Sequence, residues 1–201
     1  ILYKKNAPQL LENKIRSKNW MGNTIVFSGN TEQKLSRSNN SAITKIDVLT
    51  IHNPEGVTML NGASQEFEIN KKLRLSSGVL GLQGNLLNLG LDAVIEELNP
   101  FGKDNMINTG GSFSNYGVRK YVYANSQEEI ILPLGLQDYM PVNLNFSEGS
   151  SGSTNSSYLV KLNLPHISIV TDPDNALNMY FSINPQDIGS NCDVEMHLQY
   201  S

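Results

Sequence analysis

The sequence predicts an all-β chain in which a short parallel β-helix, a solenoid of stacked coils, is followed by an antiparallel β-sandwich. Three observations predict it. Gly56-Val57-Thr58-Met59-Leu60-Asn61-Gly62 returns 22 residues later as Gly78-Val79-Leu80-Gly81-Leu82-Gln83-Gly84, a shared G-V-x-x-L-x-G. Self-similarity at a period of about 20 to 50 residues marks stacked architectures, because one repeat cannot bury its apolar face without a neighbour. From Gly110-Gly111 onward the glycine-bounded runs give way to longer segments of period-two alternation, such as Leu177, Met179, Phe181 and Ile183 against Asn178, Tyr180 and Ser182. That pattern gives a strand one dry and one wet face. Finally, charged residues are only 17% of the chain, while Gly, Asn and Ser punctuate it throughout, so turns between short strands are plentiful.

Residues 1–21 read as an N-terminal cap or lead-in. Pro8 suits a first helical position, and Leu10, Leu11 and Ile15 fall at rough helical spacing; an irregular extended segment is the equal alternative. Residues 22–109 form the expected β-helix. Thr24-Ile25-Val26-Phe27 and Gln33-Lys34-Leu35-Ser36 are the strands of a degenerate first coil. In the clearer copies, Val48-Leu49-Thr50-Ile51 matches Lys72-Leu73-Arg74-Leu75, and Phe67-Glu68-Ile69-Asn70 matches Leu86-Leu87-Asn88-Leu89. The 22-residue offset places Val57 on Val79 and Leu60 on Leu82, one coil apart at about 4.8 Å. Val94-Ile95 starts a partial coil that Asn99-Pro100-Phe101-Gly102 breaks, and Leu98 and Phe101 are expected to cover it. Residues 110–201 form the expected sandwich, a separate core with strands at 116–123, 129–134, 140–146, 158–164, 176–183 and 194–200. The polar tract 147–157 reads as a long loop between two of them.

A net charge of −4 and a pI near 5.4 supply no electrostatic footprint for nucleic acid. No apolar run approaches the ~20 residues of a membrane span, so no membrane insertion is expected. The single cysteine, Cys192, cannot form an internal disulfide and reads as a small buried hydrophobe. Starting at Ile1 without an initiator methionine, the chain reads as an excerpt of something longer.

A search of the sequence for chemistry returns no catalytic residue, no metal ligand set and no cofactor site. His52, His166 and His197 lie far apart and none has a partner at metal-ligand spacing. Asp172-Pro173-Asp174-Asn175 lacks the rest of a cation loop and reads as a turn. Many parallel β-helices cleave acidic polysaccharides, which requires clustered carboxylates for acid–base work, or carboxylates holding calcium, with an Arg or Lys on one solenoid face; Glu66, Glu68, Asp92, Glu96 and Glu97 are available, near Lys71, Lys72 and Arg74. Glu66 and Glu68 flank Phe67 on an alternating strand, however, and so read as ordinary outward positions. The best-equipped binding surface is the one carrying Tyr121, Tyr123 and Tyr139, because aromatic rings stack on sugars or anchor a protein partner.

Several runs resemble a known family in order along the chain. Leu49-Thr50-Ile51-His52-Asn53-Pro54-Glu55-Gly56-Val57-Thr58 resembles the "LTINNSxGVTL" opening of repeat regions in large secreted surface proteins of Bacteroidetes, exported by the type IX secretion system and including gliding-motility adhesins. Leu73-Arg74-Leu75-Ser76-Ser77-Gly78-Val79-Leu80 is similar to their "LTLTSGxL", and Asn85-Leu86-Leu87-Asn88-Leu89-Gly90 to "NTLTLG". Leu132-Pro133-Leu134-Gly135 with Tyr139-Met140-Pro141-Val142-Asn143-Leu144 resembles "FPxG…YxPVxL", and Asn178-Met179-Tyr180-Phe181-Ser182-Ile183 resembles "xRYWxI", with Phe181 where Trp is usual. The resemblance implies a β-helix packed on a β-sandwich, displayed outside the cell and devoid of catalytic residues. It implies partners among the other parts of the same larger surface protein, and among glycans or surface and secretion proteins. The expected function is a structural stalk or adhesin-type binding unit. The alternatives are a polysaccharide-acting β-helix enzyme or its carbohydrate-binding part, and a trimeric phage or pilus-type fibre component.

Overall fold

A computed structural model of the chain describes residues 2–4, 20–36, 43–60, 65–110, 116–123, 128–148, 156–163, 179–187 and 193–199. Among these residues all regular structure is β, and a parallel β-solenoid of about four turns runs into antiparallel sheets. Three sequence features, the helical spacing at residues 8–15, the turn at residues 172–175 and Cys192, lie outside the described residues, as do residues 149–155 of the polar tract.

One long sheet carries the solenoid. β1 (Leu2–Lys4), β2 (Trp20–Ser28), β4 (Thr44–His52) and β6 (Glu66–Ser77) stack in parallel. Along β6, Phe67, Ile69, Leu73 and Leu75 are buried and Glu66, Glu68 and Arg74 face outward, as the alternation predicts. Strict alternation would also turn Lys71 inward, yet it is exposed. The strand bends at Asn70-Lys71, opposite a register irregularity between Ile46 and Val48 of β4. The bend divides the sheet into two faces. The first half of β6 pairs with β8 (Leu86–Leu89) and the second half with β9 (Val94–Glu97), which the 90–93 turn separates.

The third side of the coil is a second parallel sheet. It is built from β3 (Gln33–Leu35), β5 (Val57–Met59), β7 (Leu80–Gly81), β10 (Ile107–Asn108) and β13 (Leu134–Gly135). Val57, Leu80, Ile107 and Leu134 form its inward ladder and are all fully buried. Each coil therefore stacks apolar side chains on those of the next, and the resulting core is continuous along the axis.

The register corrects the sequence reading by one residue. Val57 pairs with Leu80, not Val79; Val79 is half-buried and its carbonyl accepts the Val57 N–H at 2.9 Å. Met59 points inward where Leu60 was expected, and Phe67 pairs with Leu87. The cause is corner length. Thr50 pairs with Arg74 and Ile51 with Leu75, but an irregularity brings His52 opposite Ser77, skipping Ser76. Four residues then separate His52 from Val57, where only Gly78 and Val79 separate Ser77 from Leu80. Gly56, Gly78 and Gly84 take positive φ at the corners, and Gly56 lies against Val79, not Gly78. Buried asparagines complete the corners. The Asn53 amide donates to the carbonyls of Thr31 and Gly56, and Asn85 donates to Leu60 and Leu82 while accepting the Gln65 N–H. Carbonyls that a tight turn leaves unpaired are thus satisfied without water.

The parallel ladders run past Gly110, where the sequence texture changes. β11 (Gly117–Tyr121) pairs in parallel with β8 and antiparallel with β15 (Ser157–Asn163), which pairs antiparallel with β16 (Tyr180–Gln186). One sheet therefore belongs to both parts. Facing it is a small antiparallel sheet of β12 (Glu129–Leu132), β14 (Val142–Glu148) and β17 (Asp193–Leu198), with Phe146 meeting Tyr158 edge to face at 5.2 Å. A single buried cluster runs from Phe27 through Leu73 and Ile107 to Val142 and Leu162. The two cores expected from the sequence are one core, because β11 stacks directly on the last coil. Phe101 packs partly against it as expected, whereas Leu98 is 51% exposed.

Candidate functional site

The corner where β6 bends is repeated in the coils above it, and it carries most of the polar chemistry. In the lower coils, Asp47 accepts from the Asn70 amide at 3.1 Å and from the Lys71 ammonium at 2.8 Å. Above them the Gly90 N–H donates to the Ile69 carbonyl. One coil higher, Lys120 turns its ammonium down onto the carbonyls of Gly90 and Leu91, at 2.9 and 2.7 Å. Lys120 is 3% exposed; burial holds its pKa below the ordinary lysine range, against the opposing pull of Glu128 and Asp92. Two of its three protons go to these carbonyls, so this lysine acts as a clamp on the 90–93 turn. Beside it the Tyr123 hydroxyl donates to Asp92 at 2.5 Å, and that bond raises the phenol pKa.

The three tyrosines singled out from the sequence are not brought together. Tyr121 and Tyr123 flank the fully buried Val122; Tyr121 is half-buried and Tyr123 is exposed. Tyr139 is bridged to Gly135 beyond the end of β13, half-buried, with burial and the nearby Glu97 carboxylate raising its phenol pKa. Asp92 and Glu97, the neighbours of Tyr123 and Tyr139, lie at opposite ends of β9, which spans roughly 10 Å at the usual strand rise. Only Tyr123 presents an open ring at the clamp. The Tyr123–Asp92 bond spans 31 residues and the Lys120 bonds to Gly90 and Leu91 span 30 and 29, so no local pattern in the sequence encodes them.

On the outward face the carboxylates weighed as an acidic cluster are each engaged. Glu68 meets Lys45 of the coil below at 2.8 Å, and Glu66 accepts from Asn88 at 2.6 Å and lies 4.0 Å from Arg119. Glu96 is held by Lys72, and by Arg74 at 2.6 Å; Glu97 accepts the Phe101 N–H at 3.1 Å. The register causes this. Lys45 is the direct neighbour of Glu68, and Arg74 of Glu96, so coil stacking sets acid beside base. Among the described residues no three His, Cys, Asp or Glu side chains converge as metal ligands, and no helix is long and apolar enough to cross a membrane.

The Lys72 hydrogen bond, followed by that of Arg74, holds the Glu96 pKa below the ordinary glutamate range, outweighing burial. The unfolded chain therefore binds more protons than the folded one near the ordinary glutamate pKa of about 4.3, and this contribution to stability is present above that pH. It is lost as pH falls through the lowered native value. Urea midpoints measured between pH 3 and 6 should rise with pH in the wild type and rise less in Glu96→Gln. Equal slopes would show that the pair carries no linkage.

Comparisons of the chain with protein-family models, curated proteins and solved structures give no match.

Proposed function

We propose that the chain is a non-enzymatic module of a larger secreted protein displayed at the cell surface, serving as a structural stalk or an adhesin-type binding unit. The observation that carries this reading is the engagement of Glu66, Glu68 and Glu96 by bases and amides of neighbouring coils. Acid–base cleavage of a polysaccharide needs carboxylates free to give and take protons, whereas ladders of paired charge suit a solenoid that holds its shape. The resemblance to type IX-exported surface proteins of Bacteroidetes supplies the extracellular, cell-surface placement and the expectation of glycan or surface-protein partners. In a binding role, the exposed ring of Tyr123 at the Lys120 clamp is the contact, since rigid β scaffolds present binding groups at their turns.

Two assays test the proposal together. The chain is incubated with acidic polysaccharides, with and without calcium, and reducing ends are counted; it is also applied to a glycan array. The reading expects no new reducing ends, and binding that weakens in Tyr123→Ala identifies the adhesin form. Reducing ends whose release is lost in Glu66→Gln or Glu96→Gln would overturn it in favour of the enzyme. Protease shaving of intact source cells should release fragments of the chain, and their protection would contradict surface display.

A further inference from the structure

The outer edge of β17 has no strand beside it among the described residues, and it combines an exposed apolar side chain with a self-complementary charge pattern. Among the described residues β17 has one neighbour, β14. The Gln199 N–H donates to the Pro141 carbonyl, and these two residues are direct partners if the register of Val142 with Leu198 is continued. In an antiparallel ladder, bonded and non-bonded pairs alternate. His197 and Glu195 therefore spend their N–H and C=O groups on β14, and Val194, Met196 and Leu198 direct theirs to the outer edge, where no described strand pairs with them. Those three residues are also the apolar ones. Val194 and Leu198 pack partly against the core, while Met196, opposite the fully buried Leu144, is 48% exposed. On the other face Glu195 and His197 are mostly exposed and lie 3.4 Å apart.

We propose that this edge is a self-association surface, on which a second copy of the chain pairs its own β17 antiparallel about a two-fold axis at Met196. Met196 then faces Met196 of the second copy, and Val194 faces its Leu198. Every backbone group left open by β14 finds a partner, and the small sheet becomes continuous across the axis. On the outer face each Glu195 carboxylate meets the imidazole of His197 from the other copy. The register is specified. A slip of one residue sets free groups opposite groups already used by β14. A slip to the next permitted register puts Glu195 against Glu195, or His197 against His197, and leaves an edge residue unmatched. An isologous contact of this kind closes at a dimer, and unpaired strand edges are ready templates for it.

The experiment is light scattering after gel filtration, with sedimentation equilibrium across a concentration series, on the full chain. The wild type should give about twice the 22.2 kDa chain mass. His197→Glu should raise the dimer dissociation constant about tenfold, because it sets like charges opposite each other at two symmetric places, and Glu195→Lys should weaken it as well. Combining the two substitutions restores opposite charges and should recover the dimer. Met196→Pro removes an N–H that points away from β14, a position where an edge strand tolerates proline; it should give a folded monomer, with folding checked by circular dichroism. A monomeric wild type, open-ended association, a dimer indifferent to both charge variants, or no recovery in the double variant would each overturn the proposal.

Discussion

Leu73→Asp is expected to abolish cooperative folding of the whole chain. Leu73 is fully buried in the middle of β6, stacked between Leu49 of the coil below and Ile95 of the coil above. Truncating such a leucine to alanine costs about 2–5 kcal/mol. Aspartate adds an uncompensated carboxylate, which must be buried without a partner or drag its strand into water. Against a typical total stability of about 5–15 kcal/mol, the second change leaves little or nothing. Because one buried cluster runs from Phe27 to Leu162, the loss should reach the backbone amides of β6 and of β15 together. Urea unfolding followed by backbone hydrogen exchange in both parts and by far-UV circular dichroism should show a graded loss in Leu73→Ala and no transition in Leu73→Asp. A normal midpoint in Leu73→Asp would refute the stacked core. Loss of the solenoid signal alone would mean that two cores exist after all.

The second large effect is expected at Gly78. Its φ of +91° lies in the left-handed region, and a Cβ placed there would lie 1.8 Å from the Asn53 carbonyl oxygen and 2.8 Å from its carbon. The obstruction is backbone, so no side chain can swing away. Asn53 is the fully buried corner residue whose N–H bonds Ser77 and whose amide fills the turn, so moving it opens several hydrogen bonds at once. The conformational strain and the overpacking together should cost Gly78→Ala about 3 kcal/mol or more. Gly102→Ala is the control: nothing lies within 4 Å of its added carbon, and its midpoint should move by less than about 0.5 kcal/mol. Equal behaviour of the two variants would show that the coils do not approach each other at this corner.

Much of the fold could be read from the chain, and the exceptions have physical reasons. Alternation gave the inward faces of both halves of β6, of β14 and of β16, though not the bend at Asn70-Lys71, because a side chain's face depends only on its own strand. The flank match of Val48-Leu49-Thr50-Ile51 with Lys72-Leu73-Arg74-Leu75 gave the true coil register, since it compares pairing strands. The glycine motif misled by one residue. Gly56 and Gly78 answer to the conformation of corners, and corners of unequal length shift the motif relative to the ladder. The parallel pairings past Gly110 were not legible, because β13 is two residues long, too short to show a period, and β11 pairs with β8 across 31 residues. At the candidate site, Tyr123 was found as an exposed aromatic, but the clamp of Lys120 on Gly90 and Leu91 exists only after a coil has closed. The pairing of Glu96 with Lys72 and Arg74 likewise depends on register, and the individual residues read equally well as a catalytic cluster.

Register is thus the claim on which both the core and the neutralised outer face depend, and a disulfide tests it most directly. Thr50 and Arg74 are paired neighbours on adjacent coils, with half-exposed side chains on the outer face. The pairing strands lie about 4.8 Å apart, within disulfide reach, whereas Lys72, the partner that the 22-residue offset would choose for Thr50, sits on a diagonal about 8 Å away, beyond it. With Cys192, the only native cysteine, replaced by serine, Thr50→Cys/Arg74→Cys and Thr50→Cys/Lys72→Cys are oxidised and their non-reduced peptides weighed. The account predicts a bridge between positions 50 and 74 and free thiols in the other variant. A bridge between 50 and 72, with none between 50 and 74, would contradict it.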